Sequence, residues 1–158
     1  MSVGALLFRG EKMDYTNLLF SFEGRINRAK YWLAVLIWFV IWVVALAVGL
    51  ALMYGVNAWL GIILFVIVGI PAIVSGLAIA IKRLHDRDKS GWWVVLFYVV
   101  PSILNQLAQH MGGAGIILAL ASLAISIWGF VEIACLRGTV GPNQYGADPL
   151  AGMVQQPA

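Results

Sequence analysis

The densest group of reactive side chains in this 158-residue chain is the stretch Lys82-Arg83-Leu84-His85-Asp86-Arg87-Asp88-Lys89-Ser90-Gly91-Trp92-Trp93. Its residue types suit recognition of phosphate. A guanidinium offers a planar fork to phosphate oxygens, and an imidazole gives or takes a proton near neutral pH. A headgroup or phosphate site would use Arg83, His85 and Asp86 in those roles. If a helix continues through the stretch, Lys82 and Asp86 lie four apart, as do His85 and Lys89, while Arg83 and Asp86 lie three apart. Side chains at those spacings meet on one helical face. The plainer reading is a charged loop that orients its neighbours and pairs within itself. One His beside one Asp is thin support for catalysis. No Ser or Cys with a base, and no second carboxylate, completes a constellation, so no catalytic residue is assigned.

Two other residues have chemical potential. Glu132 is the one acid inside a long apolar run. An ionisable group in such a position is a functional candidate by default. The alternative is that it reaches water or a basic partner at the interface, with Arg83, Arg25 or Arg28 as the partners in view. Cys135 is the single cysteine, so it forms no intrachain disulfide, and it reads as a small packing residue. No Cys/His spacing resembles a metal site, and no cofactor is implied.

The elements that position these residues are four apolar runs: Tyr31 to Tyr54, Trp59 to Ile81, Trp92 to Ala108 and Gly115 to Leu136. The chain is 62% hydrophobic and 11% charged, with a mean hydropathy of +0.92. A soluble domain is about 45–50% apolar and about 25% charged. A spanning helix needs about 20 apolar residues. The third run is the weakest span, being shorter and holding Pro101, Asn105 and Gln106. Arg9, Lys12, Arg25, Arg28 and Lys30 precede the first run, Lys82, Arg83, Arg87 and Lys89 separate the second from the third, and Arg137 follows the fourth. The other two connectors carry no Lys or Arg. Basic residues stay cytoplasmic. The expected fold is therefore an all-α membrane protein with four transmembrane helices in two antiparallel hairpins and both termini in the cytoplasm. This placement also explains the net charge of +3 without nucleic acid.

Asp14 to Phe22 begins with cap-type residues, Asp14 or Thr16, and reads as a short interfacial helix. The N-terminus lacks the pattern of a cleaved signal peptide, and the first span reads as an uncleaved anchor. Residues 1–12 read as a poorly ordered extension, 13–149 as one transmembrane domain and 150–158 as a flexible tail. Trp32, Trp92 and Trp93 are expected at the bilayer rim. Small residues let helices approach closely in lipid. Ala72, Gly76 and Ala80 form one such stripe, and Gly115, Ala119, Ser122 and Ser126 another. The expectation is that the second span's stripe packs on another helix, the fourth being the leading candidate.

Three motifs then add up to a family. Gly24-Arg25-Ile26-Asn27-Arg28-Ala29-Lys30-Tyr31-Trp32 looks like a GRxxRxxYW motif, Lys82 to Trp93 like RRLHD…SGWW, and Gly138 to Pro149 like GTxGxNxYGxDP. In this order, with apolar spans between them, they resemble the bacterial inner-membrane family known as domain of unknown function 805. The likeness covers Met13 to Pro149. Gln144 departs from it, standing where Arg or Lys is common. The resemblance implies a bacterial inner-membrane location and this architecture, and it supplies no mechanism. All three motifs fall on the cytoplasmic side of the topology. There Arg25, Arg28, Arg83, His85, Asp86, Asn143, Tyr145 and Asp148 would assemble into one polar cap, with Asp86 paired to Arg25 or Arg28.

Three functions compete. The first is a non-enzymatic membrane protein whose cap binds lipid headgroups or a partner protein, with membrane lipids as constant neighbours and a homo-oligomer as one form of partner. The second is a small channel or transporter acting as an oligomer, disfavoured because Ser75, Ser122, Ser126 and Glu132 are nearly the only polar residues in the spans. The third is a headgroup enzyme using His85 and Asp86, and the missing nucleophile and second acid lean against it. Convergence of His85, Asp86 and Glu132 on an open cleft would favour chemistry. Closure of Asp86 by arginine would favour structure.

Overall fold

The computed structural model describes residues 14–151, so the expected extension over 1–12 and most of the 150–158 tail lie outside the described residues. Among the described residues the regular structure is helical, apart from one isolated bridge between Asn143 and Gly146. Helix α1 is Tyr15–Phe20. It starts where Asp14 accepts a hydrogen bond from the Asn17 amide at 3.0 Å, which satisfies one of the free donors of a first turn. Its Leu18 is buried with Ile26, Ala34 and Ile79.

Helix α2 is Arg28–Gly55, and α3 is Ala58–Asp86. Asn27 caps α2 by accepting from the Lys30 amide at 2.9 Å. Asn57 caps α3 by accepting from the Trp59 amide at 2.8 Å. With only Val56 and Asn57 between them, the chain reverses and the helices pack antiparallel. A Cβ on Gly61 would strike the Met53 side chain and the Gly49 carbonyl, and one on Gly49 would strike the Phe65 ring. Further along the same seam, the Trp38 indole donates to Ser75 Oγ at 2.8 Å.

The third apolar run differs from the others. It opens in a π-helical segment, Val95–Val99, and continues as α4, Val100–His110. The cause is Pro101, which has no N–H and whose ring crowds the carbonyl four residues back. A π turn ahead of it relieves both problems, and Ser102 Oγ donates to the Tyr98 carbonyl at 2.7 Å. Helix α5 is Gly115–Phe130, entered through a short 3₁₀ turn, Gly112–Ala114, and closed by a π turn, Val131–Cys135. It packs antiparallel on α4. A Cβ on Gly115 would strike the Ala108 backbone, Ser122 Oγ donates to the Pro101 carbonyl at 3.0 Å, and Gly129 abuts the Phe97 ring.

Among the described residues, three helices are long and apolar enough to cross a membrane: Arg28–Gly55, Ala58–Asp86 and Gly112–Cys135. Their outer faces are apolar. Phe39 is 63% exposed, Ile67 62% and Ile117 73%, a surface suited to hydrocarbon rather than water.

The packing stripes need correction. Gly76 is exposed, and a Cβ there would meet nothing within 4 Å. Ala72 is half-buried and Ala80 buried. The expected partnership of the second span's stripe with the fourth span gives way to two separate seams, α2 on α3 and α4 on α5. In α5 the buried small residues are Gly115, Ser122 and Gly129, seven apart, while Ala119 and Ser126 face outward. Two pairs joined lengthwise by their own glycines leave the far side of α3 open. Among the described residues, the backbone of α5 comes close to α2 and α3 only through its last turn, Val131–Cys135. The buried clusters lie at that same end: Ala80, Leu84, Val94, Phe97 and Ile133 in one, and Leu18, Ile26, Ala34 and Ile79 in the other.

Candidate functional site

Where the two helix pairs join, nearly all the charge of the described chain converges. Asp86, 3% exposed, sits on the last turn of α3. One carboxylate oxygen accepts from Arg25, at 3.2 Å from Nε and 3.1 Å from a terminal nitrogen. The other accepts from Arg83 Nη1 at 2.6 Å. Both guanidinium groups are out of solvent. The expected choice between Arg25 and Arg28 therefore falls on Arg25, with Arg83 as a second partner.

The remaining guanidinium donors go to backbone. Arg83 Nε donates to the Ile133 carbonyl at 2.8 Å, Nη1 also to Ile26 at 3.2 Å, and Nη2 to Leu136 at 2.8 Å. Arg28 donates to the Cys135 carbonyl at 3.1 Å. The final carbonyls of a helix lack partners within it, and cations suit that negative end. Arg83 and Arg28 fill this need for α5, where the π turn splays the carbonyls. Arg25 reaches the opposite way, to the carbonyls of Thr139 at 2.7 Å and Gly141 at 2.8 Å. One carboxylate and two arginines thus tie α3 to the segment before α2, the end of α5 and the loop that follows it.

That loop is folded by its own polar residues. Thr139 donates its amide to the Asp86 carbonyl at 2.8 Å. A Cβ on Gly138 would strike the Asp86 carboxylate, so only glycine lets the loop pass there. Asn143 donates to the His85 carbonyl at 2.8 Å and accepts from the Tyr145 amide at 2.9 Å. Tyr145 stacks on His85, centroids 3.9 Å apart and planes 3° from parallel. His85 Nδ1 lies 3.2 Å from the Gly24 carbonyl. Asp148 accepts from the amides of Gly141 and Leu150, both at 2.9 Å. Those two amides hold its carboxyl below the usual carboxylate value.

Glu132 stands apart from this group. Its carboxylate accepts from Lys89 at 2.9 Å and Arg87 at 3.3 Å, in place of the expected Arg83, Arg25 or Arg28. Those three are already committed elsewhere. The ammonium of Lys89 also lies 4.5 Å from the centre of the Trp93 ring. Trp93 correspondingly turns inward against Phe97 and Trp128. Trp92 is 81% exposed and Trp32 47%.

Lys82 carries no expectation as a site residue, yet it is 1% exposed. Its ammonium donates to the carbonyls of Asn17 and Leu18, both at 2.7 Å, closing the end of α1. Local pairing with Asp86 does not occur. Nor does His85 meet Lys89, because α3 stops at Asp86 and Asp88 adopts φ 58°. The signal for Lys82 was its place before the motif's Arg83, still within the helical register of α3.

The network is closed. Among the described residues no buried side-chain nitrogen or oxygen lacks a hydrogen-bond partner. The cavity beside Asp86, lined by Asn27, Arg28, Arg137, Gly138 and Asp148, holds about 20 Å³, room for about one water. His85, Asp86 and Glu132 do not share a cleft. No group of three or more potential metal ligands occurs among the described residues.

Comparison with known proteins matches residues 19–147 to the profile described as "Protein of unknown function (DUF805)". The chain belongs to this family. It is 34% identical to the inner membrane protein YhaI of Escherichia coli K12 over 135 residues, covering 83% of this chain and 87% of that one. It is 30% identical to YiiR of the same organism over 138 residues, covering 86% and 90%. With the inner membrane protein YhaH the identity is 29% over 128 residues, covering 81% and 86%. No solved structure matches. With its apolar helices, this DUF805 member is a protein of the inner membrane.

Proposed function

We propose that this DUF805 protein is a non-enzymatic inner-membrane protein with a cytoplasmic cap that is a closed latch between two helix pairs, and that binds anionic lipid headgroups at its rim. One observation carries the reading: the Asp86 carboxylate is shared between two buried arginines and borders a cavity of only about 20 Å³. A catalytic acid needs access to a substrate, and beside this one there is room for about one water.

The topology is part of the proposal. Val95–His110 forms the fourth crossing, beside the three longer helices, and α1 lies in the interface. Every Lys and Arg then sits on the cytoplasmic side together with both termini. Cysteines introduced at Asn57 and Gln109 should label from the periplasm, and labelling of either from the cytoplasm alone would rule the topology out.

Arg28, Lys30 and Arg137 are exposed at the cap's rim. Each basic residue near an anionic surface contributes about 1 kcal/mol, so three give roughly 3 kcal/mol, about a hundredfold preference. Native mass spectrometry on protein taken from mixed phosphatidylglycerol and phosphatidylcholine vesicles tests this. Phosphatidylglycerol should be retained selectively and released in Arg28→Gln/Arg137→Gln. Equal retention of both lipids would refute it. A pore through one copy finds little support, because the Ser122 and Ser126 hydroxyls are spent on helix carbonyls.

A further inference from the structure

Because the two helix pairs join at one end only, a cleft opens beside the π-helical segment. Its volume is about 410 Å³, within the usual range of about 300–1,000 Å³ for small-molecule sites. Its walls are aromatic and polar together: Tyr31, Phe97, Tyr98 and Phe130 beside Ser102 and Asn105. No Lys, Arg, Asp or Glu lines it. Three serine hydroxyls in this region already donate to backbone carbonyls, Ser102 to Tyr98, Ser122 to Pro101 and Ser126 to Ser122. The Tyr31 and Tyr98 hydroxyls and the Asn105 amide donate to no other group among the described residues.

We infer that this cleft binds a neutral membrane-soluble amphiphile whose flat head carries carbonyl acceptors, a quinone being the chemical type. The absence of charged lining excludes an ionic headgroup. These free donors ask for acceptors. An acyl chain supplies none, and leaving polar groups unpaired in hydrocarbon is unfavourable. Aromatic walls favour a ring. Tyr98 and Asn105 are seven residues apart, close to two turns and about 10 Å of helix rise. Both line the cleft, so a ring seated between them could accept a hydrogen bond from each. The π turn supports the same reading, since it rotates Tyr98 relative to α4, and such turns recur at functional sites. The inference concerns binding alone. It rests on the membrane placement of α4 but not on the headgroup rim.

Isothermal titration of the full chain in nanodiscs with decylubiquinone tests it, with decylbenzene as the carbonyl-free control. Saturable decylubiquinone binding is expected, with decylbenzene at least tenfold weaker. Tyr98→Phe and Asn105→Leu should each weaken decylubiquinone about tenfold. Both residues are exposed, and unchanged thermal melting verifies that the variants fold. Arg28→Gln/Arg137→Gln should bind decylubiquinone like the unaltered protein, so failure of the rim leaves this result standing. Equal binding of the two probes, unaffected binding by both variants, or retention of phospholipid alone would overturn the inference. So would a dimer that Asn105→Leu converts to monomer, because a second copy would then fill the cleft.

Discussion

Replacing Asp86 by alanine removes the one acid shared by Arg25 and Arg83. Both guanidinium groups stay buried, at 1% and 0% side-chain exposure, and lose their counter-charge. Breaking a buried ion pair from one side costs about 3–5 kcal/mol. The lower end applies here, because Arg25 keeps the Thr139 and Gly141 carbonyls and Arg83 keeps those of Ile133, Ile26 and Leu136. For a chain of this size each kcal/mol shifts the melting midpoint by about 2–4 °C. Asp86→Ala should therefore melt roughly 6–12 °C lower in detergent. A double-mutant cycle assigns the partners. Arg25→Ala and Arg83→Ala should each couple to Asp86→Ala by about 1–3 kcal/mol, while Arg28→Ala should simply add. High salt should change little, since screening acts weakly on a buried pair. A nearly neutral Asp86→Ala, or coupling to Arg28 in place of Arg25, would refute the closed network.

Three further outcomes follow from the packing and the loop. Gly61→Leu should destabilise by about 1–3 kcal/mol or more through overpacking, while Gly76→Leu should melt like the parent protein; equal effects would contradict the α2–α3 seam. Lys82→Met should leave the Leu18 carbonyl unmatched, while that of Asn17 keeps the Ser21 amide, at a cost of about 1–3 kcal/mol, raising hydrogen exchange in α1 above its level in the parent protein; unchanged exchange would show that the ammonium does not hold α1. Asp148 has a depressed carboxyl pKa, so its contribution is complete above the ordinary carboxylate value and is lost as pH falls through the lower, folded one. Asp148→Asn should remove that acid-side change, read as exchange of the Gly141 amide, and a persisting pH dependence would place its origin elsewhere.

Particular residues show what the sequence makes legible. Apolar length and the one-sided basic residues mark the long helices, because hydrocarbon thickness sets their size. The attraction of Asp86 for an arginine before α2 was readable too, since opposite charges at one membrane face have few other places to go. The choice of Arg25 over Arg28 was not. It depends on the π turn at Val131–Cys135, which offers the Cys135 carbonyl to Arg28, and a single extra residue in a helical turn leaves no periodic trace. Gly76 misled for a related reason. In lipid both faces of a helix are apolar, so small residues at four-residue spacing occur on packed and open faces alike. Glu132 was expected to meet arginines that the carbonyls of neighbouring segments had already claimed. Lys82 read as a flanking charge, because sequence does not show that α1 folds back over it.

The latch is tested most directly by the distance between the helix pairs at the ends away from the charges. Trp59 in α3 is 70% exposed and Ile116 in α5 63% exposed. Spin labels at Trp59→Cys and Ile116→Cys, with the exposed Cys135 replaced by alanine, report that distance by double electron–electron resonance. The closed network predicts one narrow distribution in the parent, and a broader, longer one once Asp86→Ala is added. An unchanged distribution after Asp86→Ala would contradict the claim that these charges hold the two pairs together.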